Sequence, residues 1–270
     1  MLEIVNALSR AKLQKIDNFL TYLGIYEDRA RTDALKKMLL RHRRDIKGKL
    51  CVEAGAGMGD MSRQLLALGP RHLYCVEENA LCAEYLTKRF AREKNVTVVH
   101  APIERFRPRA KIDFLFHEFY GPLLLDESLF SLERLSFTPT VVAPDEGYLL
   151  AETASIAQMK DRGIDRRILH LLDDALITDL FIGYTFRNPR RILRWKFSEK
   201  NRRAAIARLK KPGEVLILGM EIADRGVRVC GTADCENWPY LFTPVKGDAF
   251  RISFSYRGCF SDVSFRWIKA

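Results

Sequence analysis

Apolar residues recur at helical spacing from the start of the chain. Leu2, Val5, Leu8, Leu13, Ile16 and Leu20 predict a helix over about 2–23, and Ala34, Leu35, Met38 and Leu39 predict a second over 27–45. Short apolar runs then predict strands at 49–53, 72–77, 96–100 and 113–117, with helical stretches 61–68 and 80–93 between them. Strands alternating with helices of this length imply a mostly parallel α/β sheet, doubly wound and Rossmann-like, covered on both faces.

The pattern changes near residue 145. Strands are expected at 146–157, 180–186, 192–197, 214–221, 226–231, 249–256 and 260–268, separated by turn signals such as Pro212-Gly213 and Lys246-Gly247-Asp248. Two helices interrupt them, near 165–177 and 199–210. From Arg251 to Tyr256 polar and apolar residues alternate, as in an antiparallel strand with one buried face. The expected division is 1–145, N-terminal helices and Rossmann-like domain, then 146–270, a smaller β-barrel-like domain.

Composition adds a charge asymmetry. The 270 residues carry 45 Lys+Arg against 34 Asp+Glu, a net of +11. The whole excess lies in 29–49 (+7) and 187–211 (+10), so the remainder is net acidic. No apolar run approaches the roughly 18 residues of a membrane helix, and 1–16 has polar breaks where a secretory signal needs an apolar stretch. The six cysteines (Cys51, Cys75, Cys82, Cys230, Cys235, Cys259) form no CxxC pair, which favours reduced thiols in a cytoplasmic compartment. His100 and His170 have no metal-ligand spacing with any cysteine, so no metal is expected.

The strand at 49–53 runs into Ala54-Gly55-Ala56-Gly57-Met58-Gly59 and then a helix. Glycines there allow unusual backbone angles and close approach of a ligand. Asp60 at the helix start would repel a diphosphate, and no GK[ST] follows, so a cationic or zwitterionic adenosine ligand fits better. Glu77, 22 residues after Gly55, ends the second strand where an acid accepts ribose hydroxyls. After strand three, Ile103 and Glu104 stand where an adenine amine can be met. With Glu53, these residues point to S-adenosylmethionine.

After strand four, Glu118 and Glu127 bracket Gly121-Pro122 at the carboxyl end of the sheet. A loop returning on itself brings both carboxylates to one point, and paired carboxylates suit a guanidinium with its forked N–H donors. Here the chain resembles the protein arginine methyltransferases, whose double-glutamate loop has this spacing, with an aromatic after the first Glu and Glu-Ser at the second. The resemblance makes Glu118 and Glu127 the catalytic pair. The family's ribose and adenine acids are matched by Glu77 and Glu104, which with Glu53, Gly55, Gly57, Gly59 and Ile103 are the expected cofactor residues, and Tyr120, Asn237 and Trp238 are the expected substrate residues. Gly24-Ile25-Tyr26-Glu27 resembles the family's amino-terminal lid, and Glu236-Asn237-Trp238 its Thr-His-Trp loop on the carboxy-terminal barrel, with Asn237 in place of histidine. The lid arginine that meets the cofactor carboxylate falls near Leu35 without gaps, with Arg29 and Arg31 as substitutes. Arg29 and Leu129 stand where many members carry methionines.

The implied activity is methyl transfer to a guanidinium nitrogen of a protein or small-molecule substrate. A basic periphery disfavours long arginine-rich peptides. The stretch 187–203, with arginines among Trp195 and Phe197 and Phe186 just before, carries the rival reading, nucleic-acid binding through 29–49 and 187–211. A non-catalytic cofactor-binding protein is the third reading, and dimer formation stays open. His117, at a strand end, is expected to be structural.

Overall fold

The computed structural model describes residues 9–159, 166–172, 175–178, 184–257 and 260–268. Helix α1 (Arg10–Glu27) starts at Ser9, whose hydroxyl accepts from Lys12 N, and runs four residues beyond the expected end. Leu13, expected on its apolar face, is exposed; Leu2, Val5 and Leu8 lie outside the described residues. Asp28 breaks the helix and caps the next, α2 (Arg29–Arg41), by accepting from Arg31 N at 3.0 Å. Leu35, Met38 and Leu39, spaced three and four apart, form the buried face of α2. A short turn, α3 (Arg43–Ile46), takes the place of the expected continuation to 45.

The strands and helices β1 (Leu50–Ala54), α4 (Asp60–Ala67), β2 (His72–Glu77), α5 (Ala80–Arg89), β3 (Val96–His100), β4 (Phe114–His117) and β5 (Val141–Ala143) follow. All pair in parallel in the order β3-β2-β1-β4-β5, with register such as Val52↔Tyr74 and Glu53↔Phe116. The order reverses between β1 and β4, which opens a crevice at the carboxyl ends of these two strands. β1 and β4 are buried along their whole length, as strands covered on both faces must be. The three-residue β5 was missed in the sequence because Val141–Ala143 is too short for a periodic signal.

From Glu146 the chain is antiparallel. β6 (Glu146–Ala154), β7 (Ile177–Thr178), β8 (Arg190–Lys196), β10 (Val215–Asp224), β11 (Val227–Gly231) and β12 (Leu241–Pro244) form one sheet, β7-β12-β10-β6-β8, with β11 also on β10. β9 (Ala204–Arg208), β13 (Ala249–Arg257) and β14 (Phe260–Ile268) form another, β14-β13-β9. The helix expected over 199–210 is therefore corrected to strand β9. Its alanine-rich sequence favours a helix, but Ala205 and Ala207 are buried while Ile206 is exposed, the period of a strand laddered onto β13. The helix expected near 165–177 is reduced to α6 (Arg166–Leu169) and a 3-10 turn His170–Leu172. Most of the strand expected at 180–186 lies outside the described residues.

The amino-terminal helices are fastened to the antiparallel sheet by a buried polar joint. His42, fully buried, lies 2.9 Å from Asp45 through Nδ1 and 2.8 Å from Asp224 through Nε2. Arg225 donates to Asp45 at 2.7 Å. Asp224 ends β10, and the His42 ring meets Phe114, the first residue of β4, so this joint holds the carboxyl end of α2 at the amino end of the parallel sheet, away from the crevice.

Candidate active site

Gly55, Gly57 and Gly59 all have positive φ (+70°, +54°, +85°). A Cβ on Gly55 would lie 2.6 Å from the Phe119 ring, and one on Gly57 2.9 Å from the Tyr26 hydroxyl. The glycines are thus required twice, by backbone angle and by the approach of the acceptor loop and of α1. Tyr26 also accepts from Met58 N at 2.6 Å, which ties the lid helix to this turn. Glu77 is held by the same turn: Oε2 accepts from Gly57 N and Oε1 from Asn79 N, both at 2.7 Å. Burial pushes its carboxyl up, and those two amides oppose the shift. Beneath it, Glu53 accepts from the Ser62 hydroxyl, and burial pushes its carboxyl up to about 8.

A cavity of about 760 Å³ joins the two proposed subsites. Glu53, Gly55, Gly57, Glu77, Ile103 and Glu104 line one part; Glu118, Glu127, Asn237 and Trp238 line the other. Two residues expected in the site do not line it. Gly59 caps α4, and a Cβ there would strike Leu86 and Phe90, so it serves helix packing. Tyr120 is fully buried, with its hydroxyl 3.4 Å from the carbonyls of Pro144 and Glu146. It serves the loop through its backbone, because Tyr120 O accepts from Trp238 Nε1 at 3.0 Å.

Of the three candidates for the lid arginine, Arg31 reaches the cavity. Leu35, where an ungapped comparison puts the lid arginine, is a core residue 1% exposed. One helical turn earlier, on the same face, Arg31 enters the cavity, while Arg29 is exposed. Arg31 Nε donates to Glu118 Oε1, and its guanidinium carbon lies 4.2 Å from the Trp238 ring centroid. Burial works against its charge, and Glu118 more than offsets this, so its pKa is raised. The pair Asp28 and Arg31, a cap three residues before a buried cation, was the signal in the sequence. Asn237 completes the lid contact: its N–H donates to Asp28 Oδ2 at 3.1 Å and its Nδ2 to Gly24 O.

Glu127 opens onto the cavity yet is crowded by protein. Burial, then Asp126, pushes its carboxyl up to about 7, with Arg31 pulling the other way and Glu118 adding to the rise. His117 is structural: it is buried, its Nε2 lies 2.8 Å from Pro144 O, and burial lowers its pKa to about 4.

Among the described residues, three of the eleven basic residues from 187 to 211 meet acids. Arg191 pairs with Glu221, Arg194 with Glu146 and Glu199, and Arg203 with Glu133. Trp195 is fully buried against His117 and Tyr120, so it offers no face for a base. No helix among the described residues is long and apolar enough to cross a membrane.

No family model matches the chain. Among curated proteins, it is 33% identical over 115 residues to a probable protein arginine N-methyltransferase 6.1 of Oryza sativa subsp. indica, covering 40% of this chain and 30% of that protein. It is 30% identical over 114 residues to a probable protein arginine N-methyltransferase 6 of Arabidopsis thaliana (40% and 26%). The matched stretch thus spans less than a third of either relative's length. Among solved structures, an open conformation of Arabidopsis thaliana protein arginine methyltransferase 10 superposes with a TM-score of 0.65 at 15% identity, covering 92% of this chain and 95% of that one. A Trypanosoma brucei PRMT1 enzyme-prozyme complex with AdoHcy gives 0.67 at 15% identity, covering 90% and 91%. The chain is therefore similar to the protein arginine methyltransferases in sequence over part of its length and in fold over nearly all of it.

Proposed function

We propose that the chain is an S-adenosylmethionine-dependent methyltransferase that transfers methyl to a guanidinium nitrogen of a protein arginine or a smaller guanidino compound. The observation that carries this reading is the single cavity that joins the glycine turn and its ribose and adenine acids to the paired glutamates. The lining fits the cofactor: Glu77 is fixed beside the glycine turn for diol hydroxyls, and Arg31 enters the same cavity as a cation for a carboxylate.

When bound, the cofactor supplies a methyl group on a sulfonium, with no help needed from metal or redox chemistry. Glu118 and Glu127 accept guanidinium N–H bonds and hold the nitrogen in line. Glu127, titrating near neutrality, takes the proton that the substituted nitrogen sheds. Arg31 and Trp238 wall the acceptor end, and Asn237 holds the lid helix over it.

The same reading divides the chain into 1–145, which binds cofactor, and 146–270, which completes the acceptor wall. Five described cysteines are unpaired thiols, which supports a reducing, cytoplasmic setting. Buried Trp195 offers no face for a base, so the substrate class of this reading stays with guanidinium. Incubation with methyl-labelled cofactor and cell lysate, with the nucleic-acid and protein fractions separated and the latter hydrolysed for amino-acid analysis, tests the reading. Label in methylated guanidine supports it; label only in nucleic acid refutes it.

A further inference from the structure

The cavity has one wall that the glycine turn and the double-glutamate loop do not explain. Tyr256 comes from β13, in the antiparallel half, and lines the same cavity as Glu104. Its hydroxyl donates to Glu104 Oε1 at 3.0 Å, and Ser131 Oγ donates to the same oxygen at 3.1 Å. Among the described residues no donor meets Oε2. The Tyr256 ring is itself clamped: the Arg134 guanidinium carbon lies 3.9 Å from its centroid, and Phe130 meets it edge-on at 6.2 Å. Phe130 in turn lies under Arg203, 4.7 Å away, and Arg203 pairs with Glu133 at 2.9 Å. The β9–β13 region therefore grips the 3-10 segment Ser128–Arg134 from two sides, with Tyr256 at the point of contact with the cavity.

A glutamate next to a base is a poor discriminator if it can turn freely, because a rotated carboxylate can move away from an oxo group as easily as it meets an amine. Two donors on one oxygen remove that freedom. They aim the second oxygen, which can only accept while ionised, at the position of a purine 6-amine. A 6-oxo group there would face a fixed acceptor, and the mismatch cannot be relieved by rotation.

We propose that Tyr256 is a specificity-determining residue for the purine: with Ser131 it fixes Glu104 so that a 6-amino base is accepted and a 6-oxo base rejected. The antiparallel half thereby contributes to cofactor choice as well as to the acceptor wall. The proposal rests on the cofactor reading above and extends it to a residue from the other half of the chain.

The test is equilibrium binding of S-adenosylhomocysteine and its deaminated analogue S-inosylhomocysteine to the full chain and to Y256F and S131A. The unaltered chain is expected to prefer the adenosyl compound at least a hundredfold. Y256F is expected to lose about tenfold of that preference, through weaker adenosyl binding, and S131A a smaller part. A role in packing alone would weaken both ligands equally, so an unchanged preference in Y256F overturns the proposal while leaving the cofactor reading intact. If the unaltered chain binds neither compound, the cofactor reading fails and the proposal with it. Because Y256F keeps the ring, its stacking on Arg134 and Phe130 survives, and S131A provides a second route to the same readout should Y256F fail to fold.

Discussion

The Arg31 guanidinium lies 4.2 Å from the centre of the Trp238 ring. Its Nε meanwhile donates to Glu118, so one cation links α2, the loop after β4 and the antiparallel half. Arg31→Lys keeps a charge but loses the planar fork and its stacking. S-adenosylhomocysteine binding, measured by titration calorimetry, should weaken at least tenfold in Arg31→Lys and further in Arg31→Ala. Unchanged affinity in both would remove Arg31 from the cofactor site.

Glu127 gives a pH dependence with a definite sign. Its carboxyl is pushed up to about 7, mainly by burial, and only the ionised form accepts the guanidinium N–H bonds. Turnover per unit of acceptor should therefore rise as pH increases through about 7 and level off above it. Glu127→Gln should erase that rise along with most of the activity. Glu53 is pushed up to about 8 on the cofactor side, so Glu53→Gln serves as the control that keeps the limb near 7.

Gly55 and Gly59 should separate on substitution, although they sit four residues apart in one turn. A Cβ on Gly59 meets Leu86 at 2.6 Å, away from the cavity, so Gly59→Ala should cost about 1–3 kcal/mol in urea unfolding. Cofactor affinity in the folded fraction should be retained. A Cβ on Gly55 meets Phe119 of the acceptor loop, so Gly55→Ala should impair binding as well as stability.

The joint at His42 makes a purely structural prediction. His42→Ala strips the buried Asp224 of its 2.8 Å partner, and Asp224 Oδ1 already lacks one. A loss of about 2–3 kcal/mol is expected by denaturant unfolding. Arg225→Ala, which breaks an exposed contact to Asp45, should cost less than about 1 kcal/mol.

Much of this was legible in the sequence because the parallel half obeys local rules. Strands 72–77 and 96–100 match β2 and β3 residue for residue, since each reads as a short apolar run, although only β2 is largely buried and β3 is a half-exposed edge strand. The cavity contains most of the residues named from the glycine turn and the acceptor loop. What escaped was set by distant partners. β9 reads as a helix until β13 is beside it. Tyr256 gives no sign in the sequence of reaching Glu104, 152 residues away. The sequence offers Arg31 only beside Arg29, because an ungapped comparison places the position one helical turn later, at Leu35, and only the packing of α2 separates the two arginines. Trp195 looked available for stacking, yet the register of β8 against β6 turns it into the core.

The most direct measurement is methyl transfer from labelled cofactor to an arginine-containing peptide and a free guanidino compound, comparing the unaltered chain with Glu118→Gln and Glu127→Gln. S-adenosylhomocysteine affinity is measured in the same preparations. The expected result is label on guanidinium nitrogen, lowered at least a hundredfold in Glu127→Gln while that affinity stays within a few fold. Transfer at the unaltered rate in Glu127→Gln, or label that never reaches a guanidinium nitrogen, would contradict it.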